Sequence, residues 1–189
     1  MADDPLFHYV MSAYPKQVDL ADGGSVTLRA LFVPQDRAEV GHFFERAPIE
    51  DRAFLKENLF DREEVETWLD GIDPSRETVI VAVVDGPIVG TAVLERQRGW
   101  SRHVGEVRVV VEPAMRHRGL GHVLAQTVFD LAQKAGLEKI VAEMVSDEPE
   151  PIRVFKRLGF RTEATLNDQV VDRHGHKHDL LVMAYYVSP

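Results

Sequence analysis

Seven consecutive residues, Arg116-His117-Arg118-Gly119-Leu120-Gly121-His122, stand at the start of a run with helical periodicity. Their types and spacing suit a phosphate. Glycines at 119 and 121 let a ligand approach the bare main chain. The first N–H groups of a helix have no intrahelical acceptor and point outward, and the helix dipole adds about half a positive charge there. His117, Arg118 and His122 supply further donors. A plain loop with glycines at its bend is the competing reading, since short glycine motifs are weak signals. Two other nucleotide signatures do not fit. The third glycine of a dinucleotide fingerprint is replaced by Leu124, and residues 112–118 separate Val111 from Gly119. No GxxxxGK followed by Ser or Thr surrounds the turn.

Two carboxylates stand in strongly apolar runs, Glu106 in VGEVRVVV and Glu143 in KIVAEMV, where a charge is unusual. A carboxylate so placed can serve as a general base. A primary amine is protonated at neutral pH, with a lysine pKa near ~10.4, and must lose a proton before it attacks an acyl carbon. The plain alternative for each acid is a salt bridge or a rim position, with Arg108 a ready neighbour for Glu106. His174-x-His176-x-His178 could hold a metal, because alternate residues of an extended chain share a face. The triplet lies around Gly175 with only Asp172 and Asp179 nearby, so a solvated hairpin tip is the preferred reading and no metal is expected. If that tip borders a substrate site, Asp168, Asp172 and Asp179 suit a cationic substrate.

These residues need elements to position them. Gln17–Leu20 and Ser25–Leu31 flank the turn ADGG as a short hairpin. Pro34 to Glu45 reads as a helix. Asp51 to Leu69 reads as further helix, with Phe54, Leu55, Leu59, Val65, Trp68 and Leu69 as its apolar side. Thr78–Val84 and Pro87–Glu95 form the clearest hairpin, joined by Asp85-Gly86, a pair that accepts the positive φ angles of a type I′ turn. A looser turn, RQRGWSR, leads into the strand Val104–Glu112. Leu120 to Ala135 is the strongest helix, with apolar residues at three- and four-residue steps. Lys134 in its last turn and Gly136 just beyond it are stop signals. Lys139–Val145 is a strand and Pro151–Leu158 a short helix. Phe160–Ala164, Gln169–Asp172 and Leu180–Val187 are closing strands. A meander followed by strand–helix–strand–helix and a hairpin describes a mixed α/β sheet with helices on both faces. Trp68 and Trp100 are expected as core or lid aromatics.

The 189 residues suggest one domain over 17–189, after an irregular lead-in at 1–16. Lys and Arg total 22 against 31 Asp and Glu, a formal charge of −9 with pI near 5.3. So acidic a chain is a poor partner for nucleic acid and suits a cationic substrate. There are no cysteines, which removes disulfides, thiolate metal sites and a cysteine nucleophile and fits a reducing cytoplasm. The N-terminus has no secretory pattern, and no apolar run approaches the ~18 residues that span a bilayer, so no membrane partner is expected. The sequence leaves oligomeric state open, a homodimer included.

Arg116-His117-Arg118-Gly119-Leu120-Gly121 resembles the Arg/Gln-x-x-Gly-x-Gly/Ala pyrophosphate motif of the GCN5-related N-acetyltransferases (GNAT superfamily). Val154–Phe160, VFKRLGF, resembles that family's Tyr-x-x-x-Gly-Phe segment, and the order of elements is the family's own. The resemblance covers residues 25–187. It implies an acyl-CoA N-acyltransferase fold with acetyl-CoA as co-substrate, residues 116–122 at its pyrophosphate, and Val109, Val110 and Val111 along its pantetheine arm. It also implies acetyl transfer to a primary amine, on a protein lysine or a small molecule. GEVRVVV and the opening YPKQVDLADGGSVTLRAL are similar to the bacterial protein-lysine acetyltransferase branch, in which the residue matching Glu106 is the general base. Glu143 matches the base of the ribosomal-protein alanine acetyltransferases, and Glu106 is preferred because more of its surroundings agree. Phe155 stands where many members carry a proton-donating tyrosine, and Glu148 where an asparagine is common. A catalytically quiet acyl-CoA-binding module is therefore the alternative.

Overall fold

The computed structural model describes residues 4–48, 61–172 and 174–187. In chain order these form α1 (Pro5–Ala13), β1 (Lys16–Asp19), β2 (Ser25–Ala30), α2 (Val33–Arg46), α3 (Arg62–Gly71), β3 (Glu77–Val83), β4 (Ile88–Arg96), β5 (Val104–Val111), α4 (Leu120–Lys134), β6 (Lys139–Val145), α5 (Pro149–Arg157), β7 (Arg161–Val171) and β8 (Lys177–Tyr186). The strands make one eight-stranded sheet in the order β1-β2-β3-β4-β5-β6-β8-β7. Every neighbouring pair is antiparallel except β5 and β6. That pair is parallel because α4 crosses between them, as a parallel pair requires.

Alternation along the strands divides the core in two. Leu28, Ile80, Ala92, Leu94, Val107 and Ile140 meet α1, α4 and α5 on one face. Val81 and Ile88, with the partly buried Val110, meet Val40, Phe43 and Phe44 of α2 and Val65 and Leu69 of α3 on the other. The central strands are covered on both sides, which explains their continuous apolar runs. The mixed α/β class with helices on both faces stands. Gly90 seats α4 against the sheet: a Cβ there would lie 2.8 Å from Leu124 Cδ1.

Several expectations change in detail. The lead-in is not irregular, because residues 5–13 are helix α1. Asp4 caps it, its carboxylate accepting from the Leu6 amide at 2.9 Å, and Pro5 occupies the first turn, where its missing N–H costs nothing. Leu6 and Val10, one turn apart, are buried in the core. Of the expected helix at 51–69, residues 51–60, including Phe54, Leu55 and Leu59, lie outside the described residues. The remainder is α3, started by an Asp61–Glu64 capping box. Helix α5 begins at Pro149, two residues early. The two strands expected at 160–164 and 169–172 are one strand, β7, with register shifts between Thr162 and Ala164 and between Leu166 and Val170. Asp168 takes a positive φ of 54° in the second irregularity, so its local sequence resembles a break. Asp85 and Gly86 both adopt positive φ, 50° and 115°, in the β3–β4 turn.

Candidate active site

Strands β5 and β6 pair at Val104↔Lys139, Gly105↔Ile140 and Glu106↔Val141, and there the ladder stops. Beyond that rung β5 stays with β4 as far as Val111↔Gly90, and β6 stays with β8 as far as Val145↔Leu180. A wedge opens between residues 107–111 and 142–145. Val109, Val110 and Val111 lie along its β5 side, partly buried. Edge amides and carbonyls there are available to an extended ligand, since a strand pairs only on one side once its neighbour has left.

Glu106 stands at the apex of the wedge and is 6% exposed. Glu143 is exposed, two residues beyond Val141 and so on the same face of the sheet as Glu106. That is the α2/α3 face, which Val110 also serves. Strand geometry puts the two glutamate Cα atoms at least roughly 8 Å apart. Two more acids, which no local sequence pattern links to it, stand on this face. Glu106 is the cross-strand partner of Glu95, and Glu95 of Glu77, so three carboxylates form a row across β3, β4 and β5. Arg76 donates to Glu95 at 2.6 Å, and Arg108 Nη2 lies 3.4 Å from Glu95 and 4.0 Å from Glu77. Burial pushes the Glu77 carboxyl above its ordinary value. It pulls Arg108 below its own, against the opposing charge of Glu143. The register that builds this row depends on strand pairing, which no local pattern specifies.

The glycine turn follows β5. A 3-10 turn, Pro113–Met115, leads to Arg116, then His117 and Gly119 adopt positive φ of 59° and 92° before α4 begins. The amides of Gly119, Leu120, Gly121 and His122 are the ones that a helix starting at Leu120 leaves without intrahelical acceptors. The side chains go different ways. Arg116 Nε donates to the Val111 carbonyl at 3.3 Å, tying the turn to the end of β5. His117 and His122 are exposed. Arg118 turns to the β1–β2 connection, donating to Asp22, and places Nη1 3.0 Å from the Met115 sulfur. The two glycines differ. Gly119 has the left-handed φ, and a Cβ there would crowd Ala21. Gly121 has no such constraint, and a Cβ there would meet only Val111 Cγ2 at an ordinary 3.8 Å.

Phe155 is buried on the α4 side of the sheet. It stacks edge-on against Phe160 at 5.1 Å, in a cluster that continues through Phe129 to Tyr185. The Tyr186 hydroxyl donates to Glu163 at 2.9 Å. Tyr14 faces a cavity of about 300 Å³ between α1, β1, β2 and α4, where burial pushes its phenol up to about 12. Trp68 packs edge-on against Phe44. Trp100 is 92% exposed on the β4–β5 turn, and so is not a core residue.

The histidine triplet belongs to a hydrogen-bonded cluster. His178 Nδ1 lies 2.9 Å from Asp147 in the β6–α5 connection, and its Nε2 lies 3.5 Å from Asp172. Asp172 also accepts from the amides of His174 and His176 and from the His176 ring. Against the desolvation that would raise it, these bonds hold the Asp172 carboxyl far below its usual range. Asp147, opposed by desolvation and helped by Asp172, holds His178 above its ordinary value. Asp179 accepts from the Asp168 amide. Among the described residues no group of histidines and acids has the arrangement of a metal site, and no helix is long and apolar enough to cross a membrane.

The sequence profile described as Acetyltransferase (GNAT) family matches residues 42–160. The chain is 27% identical over 150 residues to the L-methionine sulfoximine/L-methionine sulfone acetyltransferase of Salmonella typhimurium, across 78% of this chain and 87% of that protein. It is 22% identical over 123 residues to a Bacillus subtilis protein, YwnH, named for phosphinothricin acetylation, across 64% of this chain and 75% of the other. Among solved structures, Salmonella typhimurium yncA with its cofactor acetyl-CoA superposes with a TM-score of 0.74 at 24% identity, covering 88% of this chain and 96% of that one. The GNAT domain of S. lividans PAT superposes with a TM-score of 0.75 at 19% identity, covering 91% and 96%.

Proposed function

This chain belongs to the acetyltransferase (GNAT) family, and from that premise we propose that it transfers the acetyl group of acetyl-CoA to the primary amine of a small, amino-acid-sized molecule, with Glu106 as general base. The observation that carries the reading is the placement of two features along β5. The wedge opens at Glu106, and the outward amides of residues 119–122 lie just past the strand's far end.

The residues fit the co-substrate. The first-turn amides of a fifteen-residue helix suit a diphosphate, and Gly121 is bare at a place where the protein's own packing would accept a side chain. His117 and His122 flank the anion. Along residues 109–111 the backbone groups of Val109 and Val111 alternate away from β4 towards the pantetheine arm, while Val110 bonds to β4, and an edge N–H can stabilise negative charge developing on an acyl oxygen. Acetyl-CoA supplies the acyl group as an activated thioester. Glu106 accepts the proton of the acceptor's ammonium group, directly or through water, so that the amine nitrogen carries a free lone pair. Glu143, exposed at the mouth on the same face, attracts the incoming cation. Phe155 donates no proton, and none is needed by a leaving group whose conjugate thiol titrates near ~8.5.

The acceptor class rests on the relative that acts on methionine sulfoximine and sulfone, since similarity to it runs through most of both chains. A thiol-release assay tests it, with methionine sulfone, methionine sulfoximine, phosphinothricin, spermidine and a lysine peptide as acceptors. The amino-acid analogues should give the highest kcat/KM. A lysine peptide turned over best would replace the acceptor class with protein lysine. Tight acetyl-CoA binding with no release on any amine would favour the catalytically quiet module, for which the buried Phe155 is the supporting observation.

A further inference from the structure

We infer that the β1–β2 turn is a positioning element for the phosphate site, and that Asp22 sets the site's geometry by turning Arg118 away from the ligand and clamping the glycine turn from behind. The inference rests on the cofactor placement proposed above. Its β1–β2 residues, Ala21, Asp22 and Gly24, precede the segment matched by the family profile, which starts at 42.

Two hydrogen bonds join the two turns, and three more stiffen the β1–β2 turn itself. The Ala21 amide donates to the Arg118 carbonyl at 3.1 Å. The Arg118 guanidinium donates through Nε to Asp22. The Asp22 carboxylate is itself fixed, because its other oxygen accepts from the Gly24 amide at 3.0 Å. The hairpin turn is closed by Leu20 N–H to Gly24 O at 2.7 Å and Gly23 N–H to Leu20 O at 3.0 Å. Shape agrees with bonding. A Cβ at Gly24 would lie 2.9 Å from Arg118 Nη2, so a side chain there would displace the guanidinium. Gly119 presents its bare face to Ala21, with a Cβ position only 3.2 Å from the Ala21 side chain.

The consequence concerns direction. The Arg118 carbonyl and side chain are both consumed on the β1–β2 side. The peptide that follows is held in the left-handed turn at Gly119, and the amides of 119–122 belong to the first turn of the helix that this residue starts. An arginine whose charge is engaged by Asp22 holds the cradle instead of forming part of it. Preorganised amides bind an anion better than mobile ones because less ordering is left to do on binding.

The test is a double-mutant cycle on Asp22→Ala and Arg118→Met, read by calorimetry with coenzyme A and by steady-state kinetics. Each single variant should weaken coenzyme A binding and raise KM for acetyl-CoA about ten-fold, with kcat at saturation within two-fold of wild type. The double variant should be no worse than either single one. Asp22→Asn, which keeps the oxygen facing the Gly24 amide but loses the charge, should fall between wild type and Asp22→Ala. If Arg118→Met weakens binding and Asp22→Ala does not, Arg118 is a direct phosphate ligand and the inference is overturned. Strict additivity overturns it too. Failure of the wild-type chain to bind coenzyme A at all would instead remove the cofactor placement on which it rests.

Discussion

Glu106 and Val141 form the last rung between β5 and β6. A residue at that rung has its backbone held from both sides while its side chain stands where the sheet divides. A general base needs that combination: a fixed backbone at the inner end of the space its partner must enter.

Glu106→Gln should therefore lower kcat by about 10²- to 10⁴-fold, the range for a positioned general base, and leave coenzyme A affinity unchanged by calorimetry. Glu143→Gln should cost less than ten-fold and act mainly on acceptor KM, since Glu143 is exposed at the mouth. Undiminished turnover of the Glu106 variant across pH 6–9 would rule out its role as base.

The two glycines of the turn should separate under mutation. Gly119→Ala must place a Cβ at φ 92° and against Ala21, so it should lower the melting temperature, by about 1–2 kcal/mol of stability for the left-handed backbone. Gly121→Ala should leave the melting temperature unchanged or raise it, since alanine is the better helix residue. Gly121→Val should still fold, yet raise KM for acetyl-CoA. If it does not, no ligand approaches that main chain.

Phe155→Tyr adds a hydroxyl within a cluster of packed aromatic rings. An unpartnered buried hydroxyl should cost about 1–3 kcal/mol of stability, seen in urea unfolding, with no gain in kcat. A rise in kcat would show that departure of the thiolate does limit the reaction.

The hairpin tip should be sensitive to pH. Asp147, with Asp172, raises the His178 pKa above its ordinary value near 6.5. A group raised on folding binds its proton more tightly in the native state. Its stabilisation is complete below the unfolded pKa and is lost as pH rises through the folded one. The melting temperature of wild type should exceed that of His178→Gln most clearly at pH 5.5–6, and the gap should narrow as pH rises beyond 6.5. A gap that widens with pH would contradict the arrangement.

Much of this was legible in the chain. The fifteen residues of α4 carry an apolar stripe at helical spacing, and the stripe survives because burial against β4 and β5 requires it. Asp85-Gly86 was legible as a hairpin turn because the needed φ angles restrict the residue types. Helix α1 is less legible, although Asp4-Pro5 followed by Leu6 and Val10 is a start signal with a one-turn repeat. A nine-residue element gives periodicity little length to act on.

The sequence by itself determined the local chemistry: a helix whose first turn is glycine-rich, two acids in apolar strands, and a succession of strands and helices along the chain. These follow from side-chain type and spacing, which act over a few residues. Tertiary structure alone decided which acid sits at the parting of β5 and β6, that Glu77, Glu95 and Glu106 share one row, and that Arg118 faces Asp22, 96 positions away. Those outcomes depend on strand register and on contacts between distant segments. Their energy is gained only once the whole sheet has formed, so no short stretch of residues can encode them.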